Sequence, residues 1–278
     1  MAYNLRYAFF SNVTEVKIGA KTGLNHHVIE MWIDNPPDPS FVEIVVGRVS
    51  VAKFPVKVND CLFFAPFSGS LYNESFFSWI KKAFGEDIMV EADETEDIVF
   101  KFSTAMPGVH VLYREDTEAV RKELPLRSGS EELVLVYPIT HSKDINASGV
   151  YDLDTPDVPK EYPEIKSGIE IPSGNELHVF GLAFASKKSG TTRPTKFHIY
   201  HQRFELFTPD THEGLSVDPD YNFLKFDINT MDWFKIPEVV WRPGEKIVLQ
   251  IDAEYDGANT LPAKSVYAFL IGRWRRVR

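Results

Sequence analysis

Apolar and polar residues alternate along most of this chain. Period-two runs rich in Val, Ile, Phe and Tyr recur as HHVIEMWI (26–33), FVEIVVGRVSVAKF (41–54), DIVFKFS (97–103), GVHVLYR (108–114) and ELVLVYPI (132–139). ELHVFGLAFA (176–185), KFHIYHQRFELF (196–207), KIVLQID (246–252) and VYAFLIG (266–272) continue the series. This period predicts half-buried strands, and the turn clusters DNPPDPS, SKKSGTTRPT and YDGANT separate them. Helical spacing is rarer. YNESFFSWIKKAFG offers Asn73 or Ser75 as a cap, Phe76, Phe77, Trp79, Ile80 and Phe84 on one face, and Gly85 as a stop. Glu115–Leu124 and the stretch DINTMDWF (227–234) are further helical candidates.

The strand pattern recurs in one order along the sequence. VKI (16–18) meets IEI (169–171), HVIEMWI (27–33) meets HVFGLAF (178–184), and the run from Phe41 meets the run from Lys196 with Ile44 facing Ile199 and Arg48 facing Arg203. GEDIMVEADETE, from Gly85, then meets GEKIVLQIDAEYDG, from Gly244, and GVHVLYR meets VYAFLIGR with Arg114 facing Arg273. The offsets drift between 151 (178 minus 27) and 159 (244 minus 85), as loops of unequal length require. Two generic sandwiches would share such patterning at one place or another, whereas five matches in sequence favour an internal duplication. The expected organisation is all-β: a first jelly roll over 1–118, a connector over 119–165 containing the Pro-rich DTPDVPKEYPEIK, and a second jelly roll over 166–278, with short helices inserted.

A length of 278 residues accommodates two cores of ordinary domain size, and 44% hydrophobic with 13% aromatic residues places the chain among packed globular proteins. A net charge of -10 argues against a surface built to grip nucleic acid, so no sequence-specific nucleic-acid partner is expected. The exception is GRWRRVR, which carries Arg273, Arg275, Arg276 and Arg278. It reads either as a solvated end or as a contact for acidic lipid headgroups, nucleic acid or an acidic neighbouring subunit. The single Cys61 lies in an apolar run and reads as a small buried hydrophobe. The opening residues lack the basic start and apolar stretch of a secretory signal, so synthesis in the cytoplasm is expected and the sequons at Asn12, Asn73 and Asn146 read as coincidental.

Enzyme signatures are missing from the sequence: there is no G-x-S-x-G elbow, phosphate-cradling glycine loop, H-E-x-x-H or paired-cysteine motif. His26 and His27 are adjacent, as His198 and His201 differ by an odd step, so on strands their rings point to opposite faces. No metal, cofactor or catalytic residue is assigned. Asp152, Asp154 and Asp157 resemble half of a calcium loop without its Gly and closing Glu. The acid-rich Glu91–Asp97 reads as a turn tip more readily than as a glycosidase carboxylate pair. Of the tryptophans, Trp32, Trp79, Trp233, Trp241 and Trp274 fall mostly in apolar runs and read as core rather than as sugar platforms.

FVEIVVGR and KFHIYHQR as early strands, NESFFSWIKKAF as an inserted helix, and KIVLQIDAEYDGANT with VYAFLIGRWRR as a closing pair carry a resemblance. Taken with the duplication, the chain resembles the double jelly-roll major capsid proteins of icosahedral double-stranded DNA viruses with an internal membrane, at the compact, corticovirus-like or archaeal turreted-virus-like end. That resemblance implies a non-enzymatic virion subunit. Three copies would form a pseudo-hexameric capsomer, in contact with neighbouring capsomers, vertex or penton proteins and membrane lipids. It also implies an inner-face role for Arg273, Arg275, Arg276 and Arg278. A spike, decoration or carbohydrate-binding protein shares the same β architecture, and so does a glycan-stripping amidase with interface carboxylates.

Overall fold

The structure, a computed structural model, describes residues 4–59, 61–62, 90–120, 132–206, 215–219 and 234–277. Among these the regular elements are all β-strands, and the chain divides into two units, Met1–Leu135 and Val136–Arg278. The first holds β1 (Asn4–Ile18), β2 (Asn25–Asp34), β3 (Ser40–Val46), β4 (Val49–Val58), β5 (Cys61–Leu62), β6 (Val90–Ala92) and β7 (Ile98–Asp116). β8 (Glu132–Thr140) straddles the division. The second holds β9 (Gly149–Asp152), β10 (Thr155–Pro156), β11 (Ile169–Glu170), β12 (Asn175–Ser186), β13 (Arg193–His201), β14 (Phe204–Glu205), β15 (Leu215–Ser216), β16 (Phe234–Trp241), β17 (Lys246–Glu254) and β18 (Val266–Arg276).

When the strands of a jelly roll are lettered B to I in chain order, one sheet pairs as B-I-D-G and the other as C-H-E-F. Each unit follows that plan. In the first unit the B-I-D-G sheet is the start of β1, the end of β7, β2 and β6, while C-H-E-F is the end of β1, the start of β7, β3 and β4. In the second unit they are β8, β18, β12 and β16, then β9 with β11, β17, β13, and β14 with β15. Alternation explains the burial: Val42, Ile44 and Val46 of β3, and Ile247, Leu249 and Ile251 of β17, turn the same face inward and are fully buried.

The two units also agree residue by residue. On D and I, His27 pairs with Arg114 and His178 with Arg273; Val28 pairs with Tyr113 and Val179 with Gly272. One extra residue then bulges in each, Ile29 and Phe180, before Glu30 pairs with Leu112 and Gly181 with Ile271. On E and H, Ile44 faces Phe100 as Ile199 faces Leu249. The E–F hairpin turns at Gly47 (φ 61°) in one unit and at Gln202 (φ 59°) in the other, closed by Val46 opposite Val49 and His201 opposite Phe204.

These registers correct one sequence match. On the G–H hairpin, His27 faces Glu91 where His178 faces Val240, and the turn bond Glu96 N–H to Asp93 O recurs as Glu245 N–H to Arg242 O. Gly244 therefore corresponds to Thr95, not to Gly85. An alternating strand can slide by an even number of residues without changing its face pattern, so string similarity did not pin the register.

The expected connector differs as well. Of residues 119–165, the chain from Val136 on belongs to the second unit and supplies its B and C strands. Tyr137, Ile139, Ile145, Leu153 and Ile165 are fully buried there, Ile145 bridges Leu261, and Tyr137 Oη accepts the Ile165 N–H at 2.9 Å. The prolines made an integrated segment look like a linker. The helix expected over Glu115–Leu124 fails at its start, because Glu115 and Asp116 finish β7, with Glu115 held by Arg6 and Asp116 by His27. The candidate helix at 73–84, residues 227–233 of the candidate at 227–234, and the Cys61 side chain lie outside the described residues, while Phe234 opens β16.

The bulge brings backbones together at Gly272, where an added Cβ would overlap the carbonyl oxygen of His178. Gly272→Ala is expected to lower the unfolding free energy by about 2–4 kcal/mol. Gly19→Ala, whose Cβ would meet only Asp97 at 3.8 Å, should stay within about 0.5 kcal/mol. Urea denaturation of both variants checks this.

Candidate functional site

The shared register places a histidine of strand D against an arginine of strand I in each unit, with carboxylates around them. In the first unit, His27 Nε2 bonds Asp116 Oδ1 at 3.2 Å, while Nδ1 lies 3.1 Å from Glu91 Oε1 without hydrogen-bond alignment. Arg114 approaches Asp116 at 2.5 Å and donates to Glu118 at 2.7 Å. Beside it, His26 Nε2 lies 3.7 Å from Glu115, whose other oxygen accepts from Arg6 and Lys21 at 3.1 Å each. His26, His27, Glu91, Glu115 and Asp116 are all buried. Burial opposes ionisation of Glu115, but the hydrogen bonds from Lys21 and Arg6 outweigh it and hold the carboxyl below its ordinary value. The cations and anions at this strand end are thus matched internally.

The second unit opens the same arrangement outward. His178 stands between Glu176 (Nε2, 3.1 Å) and Glu238 (Nδ1, 3.2 Å), and the Arg273 guanidinium lies 5.8 Å from the ring centroid of Phe180, the bulged residue. Strand alternation splits the basic run between two faces. Arg273 shares a face with Arg275, and Arg276 shares the other with Trp274, whose indole N–H donates to Asn175 at 2.9 Å. Arg273 is half-buried, whereas Arg275 and Arg276 are exposed. Arg278 lies outside the described residues.

Three further histidines among the described residues meet acids, pairings that spacing along the sequence does not reveal. His198 Nδ1 is 2.6 Å from Glu205 and Nε2 is 3.2 Å from Asp252; His201 bonds Glu245 at 2.8 Å; His110 bridges Asp34 at 2.7 Å and the Tyr7 hydroxyl at 2.6 Å. All three sit in strands, and each finds its carboxylate across the sheet or at a turn, a proximity that depends on register. His141 differs. It is buried at the B–C corner, its Nδ1–H donating to the Lys143 carbonyl at 2.7 Å and its Nε2 accepting the Ser265 N–H at 3.2 Å.

The acidic stretches resolve into structural roles. Asp93 caps the G–H turn through Thr95, Glu94 accepts from Gly23, and Asp97 takes Lys17 and the Ala20 N–H. The three carboxylates of YDLDTPD turn to separate partners: Asp152 to Gln250, Asp154 to Ser142, and Asp157 to Tyr267 and Lys264. Among the described residues no three His, Cys, Asp or Glu side chains converge as a metal-binding group. Trp241 is fully buried, Trp32 is half-buried, and Trp79 and Trp233 lie outside the described residues. Compared with known proteins, the chain matches no protein-family model and no curated protein.

Burial pushes the His141 and His26 imidazoles below their ordinary value near 6.5. The fold therefore favours their neutral forms: this contribution is present above about pH 6.5 and is lost as pH falls, because the unfolded chain then binds more protons. A charged His141 would also aim a proton from Nε2 at the Ser265 N–H. The melting temperature is expected to fall between pH 7.5 and 5.5. His141→Gln should show a shallower fall, starting about 1–2 kcal/mol less stable at neutral pH, as calorimetry across that range can test.

Proposed function

We propose that this chain is a shell-forming subunit: a double jelly-roll capsid protein that assembles as trimers, each presenting six jelly rolls to its neighbours. The observation that carries this reading is the equivalence of the two units, which share strand order, D–I bulge, E–F turn and G–H hairpin. A chain holding two copies of one sandwich needs threefold symmetry only to fill a site with six similar positions. Because the copies differ in sequence, they still offer chemically distinct edges. On this reading the chain works by mechanical fit, in the virion shell, and its partners are other copies of itself, neighbouring capsomers and vertex proteins.

The basic end of β18 fits the inner side of such a shell. Arg275 and Arg276 stand exposed at the strand end, and Arg273 holds its guanidinium near Phe180, an arrangement suited to anionic headgroups of an enclosed membrane.

Two measurements test the reading. Light scattering or native mass spectrometry of the purified chain is expected to give three times the 31.7 kDa chain mass, and negative-stain images should show hexagonal outlines. A stable monomer with affinity on a glycan array would replace this reading with the binding-module one. For the basic end, the double change Arg275→Gln, Arg276→Gln is expected to weaken binding to phosphatidylserine vesicles about 30-fold in a sedimentation assay, at about 1 kcal/mol per arginine. Unchanged sedimentation would remove the membrane role and leave the shell role standing.

A further inference from the structure

In both units the histidine of strand D faces a carboxylate of strand G through the same ring atom. Nδ1 of His27 lies 3.1 Å from Glu91 of β6, and Nδ1 of His178 lies 3.2 Å from Glu238 of β16. The second nitrogen meets another acid: His27 Nε2 bonds Asp116 at 3.2 Å, and His178 Nε2 bonds Glu176 at 3.1 Å. The G-strand acids are not equivalent in register. Glu91 pairs directly with His27, whereas Val240 pairs with His178 and Glu238 stands two residues away. The contact therefore recurs from different positions of the repeat, which strand equivalence by itself does not require.

Hydrogen-bond capacity gives the contact a direction. An ionised carboxylate only accepts, and a neutral imidazole carries one N–H and one lone pair. A ring with a carboxylate at each nitrogen is satisfied when it carries both N–H groups, whereas removal of one proton turns a lone pair toward a carboxylate oxygen. Cations offset the acids at both sites. Around His178, Arg273 and Arg275 of β18 pair opposite His178 and Glu176, and Lys235 lies farther along β16, opposite Gly181. Around His27, Arg114 holds the other oxygen of Asp116 and also Glu118, while His26, Tyr113, Glu115, Lys21 and Arg6 form the adjoining group. With the charges offset, the two nitrogens of each ring and their acceptors set the preference.

We infer that His27 and His178 are proton-dependent clasps between strands D and G: the doubly protonated ring ties G down, and the singly protonated ring loosens it. G is placed to respond, because its ladder to the sheet is the one with D, β6 with β2 and β16 with β12. A strand at such a position can open at less free energy than the core. The sign is opposite to that of His141 and His26, whose neutral forms the fold favours, so the clasp is read at strand G rather than in global melting. It stands apart from the shell reading and does not depend on it.

The test follows amide hydrogen exchange by mass spectrometry in the full chain at pH 5.5 and 8.5, corrected for the intrinsic pH dependence of exchange. Protection of peptides covering Val90–Ala92 and Phe234–Trp241 is expected to fall on the order of 10-fold at the higher pH, the worth of one charge-assisted hydrogen bond. His27→Gln and His178→Gln should each flatten the response in its own unit. His198, flanked by Glu205 and Asp252, lies in the other sheet and does not enter this readout. Glu238→Gln, at an exposed position, should flatten the second unit's response without threatening the fold. Should His27→Gln fail to fold in its buried site, imidazole nitrogen shifts of the wild type decide for the first unit, with two N–H groups expected on His27 at pH 5.5 and one at pH 8.5. Equal protection at both pH values in the wild type, or a response that survives in the variants, would overturn the clasp. A response confined to one unit would overturn it for the other.

Discussion

In each unit strand I lies between B and D, and a single extra residue, Ile29 or Phe180, sets its register against D. A one-residue slip would exchange the faces of the strand and turn its core side chains to solvent. The bulge stops that slip and gives each D strand a local twist. Its consequences reach the polar groups as well. The placement of His27 against Arg114 and of His178 against Arg273 follows from where the bulge falls.

Around that frame the two units solve the H–I connection differently. β7 is one strand of 19 residues that serves H at its start and I at its end, so the first unit passes from sheet to sheet without a loop. The second unit divides the same path into β17 and β18, with a loop between. Asp256 orders that loop by accepting the Asn259 and Ala258 N–H groups, which hold its carboxyl far below the ordinary range. A duplicated fold can therefore keep its registers while altering its corners, because registers are held by many cross-strand pairs and corners by a few local bonds.

The charge distribution tells a similar story. Several acidic side chains serve histidines: Glu91, Asp116, Glu205, Glu245, Asp34 and Asp252 each approach an imidazole. In the first unit the basic groups at the strand end meet buried carboxylates, whereas β18 carries exposed arginines to the same place in the second. One position in the repeat thus became an internal ion cluster in one unit and an exposed cationic strand end in the other.

Period-two alternation revealed the all-β class, most of the strands and the repeat, because which face a side chain takes is a property of the strand itself. It also identified Arg114 and Arg273 as counterparts. It could not separate Gly85 from Thr95 as the partner of Gly244, since both choices preserve the alternation. Nor could it show that the proline-rich stretch near Asp157 belongs to the second unit, or that Glu115 and Asp116 end a strand. Those outcomes depend on residues distant in sequence: Leu261 beside Ile145, and Arg6 and Lys21 around Glu115. The chain by itself determined the period and the faces. The partners were decided by tertiary packing, because a hydrogen-bonded neighbour can come from any strand whose register and burial agree.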